Sequence, residues 1–170
     1  MKRSLFAVSL VLFLQVINLT GAFAQDAPDA SFNAFLGKFT SSAEFQYSRV
    51  KFPIATPLFL MTADGNEQEV PFGQEEWPLL EAKDLKECKI NTQDGVFFGR
   101  FTVKENDHVE FESGLEESEL DLNVIFDLID GKWYVTDCFN GVYGSVPVED
   151  YDATVYEVQQ KNEAFIKKHP

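Results

Sequence analysis

The chain has 170 residues, with 14 basic and 28 acidic side chains, a net charge of −14 and a pI near 4.4. So acidic a surface repels phosphate backbones and anionic bilayers, which argues against nucleic-acid and membrane-surface partners. Two cysteines and two histidines leave no Cys/His set spaced for zinc.

The N-terminus reads as an export signal. Lys2 and Arg3 precede an almost unbroken apolar run from Leu5 to Val16, and Ala22-Phe23-Ala24 has the small-x-small spacing of a cleavage site. The run stops near Ile17, short of the roughly 20 apolar residues a membrane span requires. Residues 1–24 are therefore expected to be a signal peptide, making the protein periplasmic or extracellular. Cleavage would remove Lys2 and Arg3 from the 14 basic residues, leaving 12 against 28 acidic ones, a net charge of −16.

Residues 25–30 read as a flexible tail. Ser31 can cap a helix carrying Phe32, Phe35, Leu36 and Phe39 at the i, i+3, i+4, i+7 spacing of one buried face. Alternation of Val50, Phe52 and Ile54 with charged neighbours predicts a strand over 44–54, with Pro53 at its edge or end. Leu58–Thr62 is a second apolar run, closed by the turn residues Ala63-Asp64-Gly65-Asn66. A short helix over 74–81 would bury Trp77 and Leu80.

From Lys89 the pattern is β. Val96–Val103 and His108–Ser113 pair around a three-residue loop, setting Phe101 against Phe111, Val103 against Val109 and Arg100 against Glu112. Ser113–Asp121 reads as a hydrated acidic loop without the spacing of a calcium loop. Leu122–Ile129 and Lys132–Phe139 form a hairpin around Asp130-Gly131, which favours a two-residue I′ turn. That register pairs Leu128 with Trp133, Phe126 with Val135 and Val124 with Asp137. A C-terminal helix is expected from the capping box Thr154-Val155-Tyr156-Glu157, with Val155, Val158, Phe165 and Ile166 on its apolar stripe. The organisation expected is one α+β domain over 31–146, with a helical extension over 147–170.

Two stretches carry a family resemblance: Phe45-Gln46-Tyr47-Ser48-Arg49-Val50-Lys51-Phe52-Pro53 after Phe35-x-x-x-Phe39, and Asp130-Gly131-Lys132-Trp133-Tyr134-Val135. Together they resemble an uncharacterised family of exported bacterial proteins with a nuclear-transport-factor-2-like fold. The resemblance implies N-terminal helices packed on a curved antiparallel sheet of the cystatin or nuclear-transport-factor-2 type. It brings no activity and no functional residues.

Within this reading, Trp133, Val135 and Phe126 would floor an apolar pocket, and Asp137 would stand among them as its one carboxylate. The leading reading is a non-enzymatic domain binding a small apolar ligand or a protein partner. The alternative is a small hydrolase or isomerase with Asp137 as acid/base. A homodimer through the outer sheet face is a third. Arg49 and Arg100 could grip an anion, though Glu112 offers Arg100 an ordinary ion pair. Cys88 and Cys138 could form one disulfide or remain free thiols. No motif calls for a metal or cofactor.

Overall fold

A computed structural model describes residues 27–118 and 120–169; the expected signal peptide lies outside them. No helix among these residues is long and apolar enough to cross a membrane. The elements are α1 (Phe32–Phe39), α2 (Ala43–Ser48), β1 (Leu58–Met61), β2 (Glu67–Val70), β3 (Cys88–Asn91), β4 (Val96–Lys104), β5 (His108–Leu115), β6 (Leu120–Ile129), β7 (Lys132–Asn140) and α3 (Tyr151–Lys168). Strands β3 to β7 form one antiparallel sheet in sequence order, and β1 pairs with β2 in a separate hairpin. The result is an α+β domain on a curved antiparallel sheet.

The curvature has a local cause. Register shifts interrupt β4/β5 at Phe101/Val103, β5/β6 at Ser113/Gly114 and β6/β7 at Ile125/Phe126. Each extra residue bends its strand and increases the twist. Asp130 and Gly131 have φ of 50° and 75°, the left-handed pair that a I′ turn requires.

Ser31 and Ser42 cap the two N-terminal helices by accepting from Ala34 N–H and Phe45 N–H. α1 lays its aromatic face on the inner side of the sheet. The Phe32 ring sits 5.2 Å from Phe126 and 5.1 Å from Trp133, and Phe35 and Phe39 both lie 5.9 Å from Phe126. These edge-on contacts form the densest part of the core.

The strand expected over 44–54 is not formed. Residues 43–48 are the helix α2, and only Val50 makes a β-bridge, parallel to Val135. The Ser42 cap starts a helix there, so period-2 alternation carries no weight before Val50. The helix expected over 74–81 is absent as well. Its backbone groups are taken by two buried amides instead. Gln46 Nε2 donates to Leu80 O (3.1 Å) and Phe39 O (2.8 Å), and its Oε1 accepts from Leu80 N–H (2.8 Å) and Trp77 Nε1–H (3.0 Å). Asn162 of α3 accepts from Leu79 N–H (2.8 Å) and donates to Trp77 O (2.9 Å). An extended segment whose polar groups are satisfied by side chains needs no helix, and Trp77 and Leu80 are buried in it regardless.

The outer edge of β7 is occupied. Arg49 O accepts from Val135 N–H and Lys51 N–H donates to Val135 O. Asp29 accepts from Trp133 N–H (3.0 Å) and holds Arg49 by two bonds of 2.8 Å, while Arg49 also donates to Trp133 O (3.2 Å). Asp29, in the segment expected to be a flexible tail, is thus fixed to the sheet. At the C-terminus α3 begins at Tyr151, three residues before the expected cap. Thr154 lies inside it and donates back to Asp150 O. Val158 and Phe165 are buried, but Ile166 is exposed because the buried stripe passes through Asn162.

Candidate functional site

The inner face of the sheet divides into two halves. One carries Phe126, Trp133 and Val135, all at or below 3% exposure. α1 covers it completely, so these residues are core rather than the open floor expected of them. The other half continues along the same strands to Ser113, Leu122 and Asn140, which pair across β5, β6 and β7 in one row. It floors a groove of about 580 Å³, walled on one side by residues 78–86 and on the other by α3. That volume is in the range of small-molecule sites.

Residues 78–86 form a wall because of β4. A Cβ on Gly99 would meet Lys86 O at 2.5 Å, so only glycine lets the loop backbone lie on the strand. From the other side Asn162 ties α3 to the same loop. Both walls are thereby held against the sheet while the floor between them stays open.

The floor is polar in a particular way. Ser113 and Asn140 are buried, at 6% and 8% exposure. Asn140 Oδ1 accepts from Val142 N–H (3.0 Å). Among the described residues, Asn140 Nδ2 and Ser113 Oγ make no hydrogen bond to another protein group, and both side chains line the groove, where solvent reaches those atoms. A polar atom that no protein group meets stays available to solvent or to a ligand.

Asp137 is elsewhere. Thr136 is the extra residue of the β6/β7 bulge, so Ile125 pairs with Asp137 and Val124 with Cys138. The expected Val124–Asp137 pairing is therefore off by one, and the thiol takes the interior place foreseen for the carboxylate. Asp137 instead accepts from Thr56 N–H, Thr56 Oγ1–H and Cys138 N–H, each at 2.9 Å. It is an anchor for the 55–57 segment. Val103 is displaced in the same manner, facing Glu110 after the β4/β5 bulge, while Phe101 faces Phe111 and Arg100 faces Glu112.

Cys88 and Cys138 are both free. They lie on the two outermost strands of the sheet, four spacings or roughly 19 Å apart along it, against the ~5.5–6 Å between Cα atoms that a disulfide needs. Burial pushes the Cys138 thiol well above its ordinary pKa, reinforced by the Asp137 charge. Arg49 is consumed by Asp29, and Arg100 by Glu112. On the outer face His108 stands between Asp127 (2.6 Å) and Glu110 (2.9 Å), and Thr136 Oγ1 donates to Asp127. These bonds raise the His108 pKa, only partly opposed by burial.

Ser113 and Asn140 escaped the sequence reading because they lie at strand ends. Ser113 closed the strand expected at 108–113, Leu122 opened the next, and Asn140 fell one residue beyond the last. In the structure β5 runs on to Leu115 and β6 begins at Leu120, so the strands take in both ends of the expected acidic loop.

A protein-family model whose description reads only "-like" matches residues 30–166. Among solved structures, a cystatin-like protein from Bacteroides caccae superposes with a TM-score of 0.79 at 47% identity, covering 82% of this chain and 95% of that one. A protein from Bacteroides uniformis gives 0.78 at 48% identity, covering 82% and 97%, and one from Bacteroides ovatus 0.76 at 48%, covering 82% and 93%. No curated protein sequence matches the chain.

Proposed function

The chain belongs to the uncharacterised family of cystatin-like Bacteroides proteins, and on that premise we propose that it is an exported, non-enzymatic domain that holds a small ligand in the groove over Ser113, Leu122 and Asn140. One observation carries the reading. Two polar side chains on an otherwise apolar, close-packed face carry hydrogen-bonding atoms that no other described residue meets and that open onto a cavity. Packing alone would favour apolar residues there. The nuclear-transport-factor-2-like description belongs to the same proposal, since it too places helices over a bent sheet with a recess at one end.

The enzymatic alternative draws no support from Asp137, whose carboxylate is committed to Thr56 and the Cys138 amide. The test separates site from scaffold. Ser113→Val removes a hydroxyl that makes no bond to another described residue, so it should leave stability unchanged or raise it by up to about 1 kcal/mol. A loss of 2 kcal/mol or more would assign Ser113 to the scaffold and end the proposal. A fragment library followed by amide NMR should give shifts clustered at Ser113, Leu122 and Asn140 in the parent protein.

A further inference from the structure

Resting on that reading, we propose that the groove selects an amphiphile with one acidic headgroup, an alkyl or aryl carboxylate, over neutral and cationic molecules of the same shape. Two independent features give the sign. The first is which atoms remain free on the floor. Asn140 Oδ1 is occupied by Val142 N–H, so the group left over is the Nδ2 donor. Ser113 Oγ–H is a second donor. A floor with donors to spare asks for a ligand rich in acceptors.

The second is the distribution of charge. Lys83, Lys86, Lys161 and Lys168 all line the groove, against the carboxylates Glu81, Asp84 and Asp121. Four lysines against three carboxylates make the local balance positive on a chain whose total is −14. Glu81 serves both Lys168 (3.0 Å) and Lys83 (3.6 Å). Asp84 accepts from Glu81 N–H. Among the described residues, Lys86 on the loop wall and Lys161 on the helix wall form no ion pair. The two free ammonium groups therefore belong to opposite walls of one groove. Repulsion from the rest of the surface is screened beyond about 8 Å at physiological salt, so the local lysines govern a charge at the groove.

The walls supply the remaining requirement. Leu79, Leu80, Phe97 and Phe165 line the groove with apolar surface. On α3, Lys161, Ala164, Phe165 and Lys168 follow i, i+3, i+4, i+7, so one helical stripe delivers two ammonium groups, a small residue that leaves room, and an aromatic ring.

Dodecanoate, dodecanol and dodecyltrimethylammonium share a tail and differ in head charge. Titrated below their micellar concentrations into the full-length mature chain and followed by amide NMR, dodecanoate should shift Ser113, Leu122 and Asn140. It should bind at least tenfold more tightly than the other two. Lys86→Glu/Lys161→Glu should abolish that preference, and Lys86→Met or Lys161→Met alone should reduce it. All four substitutions are at exposed positions, so the fold is retained. Raising the salt should weaken dodecanoate and leave dodecanol unaffected. Equal binding of dodecanoate and dodecanol at the groove would overturn the charge selectivity and leave the groove standing. Shifts at the groove from none of the three would overturn both.

Discussion

Buried amides, rather than charges, decide the local backbone here. Gln46 uses its carbonyl and amino groups in four bonds, each to a different backbone or indole group of a neighbouring element. Gln46→Ala leaves those groups buried without partners, and at 1–3 kcal/mol for each such group the loss should reach about 3 kcal/mol or more in urea denaturation. Two ionisable pairs should act in opposite pH ranges. The folded pKa of His108 is raised by Asp127 and Glu110, so its contribution is complete below about pH 6.5 and fades as pH rises through the folded value. His108→Gln should remove that slope from the stability–pH profile. For Asp29, burial alone would raise the pKa, but the bonds from Arg49 and the Trp133 amide outweigh it and lower it. Its contribution is present above about pH 4 and is lost as pH falls. Asp29→Asn should cost about 1–2 kcal/mol at neutral pH, and the cost should shrink in acid.

At the level of elements, what the sequence disclosed was faces, and what it concealed was ends. The Asp130-Gly131 turn sets the pairing of Leu128 with Trp133 and Phe126 with Val135, because no bulge intervenes within four residues of the turn on either strand. Beyond Val135 the bulge at Thr136 moves every later residue by one, and no local residue type announces a bulge. The correct face of the correct hairpin is therefore legible, while the half expected to floor an open pocket is buried core. Which half stays open depends on where α1 lands, a tertiary fact with no period of its own. The 74–81 segment departs from its expected helix for a related reason, since its backbone is satisfied by side chains more than 30 residues away, whereas α2 is decided locally by the Ser42 cap. The loop wall offers a direct check. Gly99→Ala would drive a methyl into Lys86 O, and overpacking of this kind costs about 1–3 kcal/mol. The expected readout is lower stability together with amide shifts concentrated at 79–88. The thiols give a second check. The mass of the folded protein should not change on reduction, and Cys138 should react with thiol reagents only after unfolding.

For the molecule as a whole, the seam between Arg49–Lys51 and β7 has a meaning beyond stability. A row of unsatisfied peptide groups along a sheet margin is a template for a neighbouring copy. On the β7 side that template is used up. Trp133 and Val135 have both their amide and their carbonyl engaged, and the Asp137 carboxylate is turned to Thr56. The opposite margin, β3, is four residues long and carries Lys89. Neither offers a second chain a run on which to polymerise, so the protein should stay dispersed at concentrations where a bare sheet would form fibrils. Asp29 is the pin of that seam, and its removal should be felt first as turbidity on prolonged incubation, before any loss of the folded spectrum.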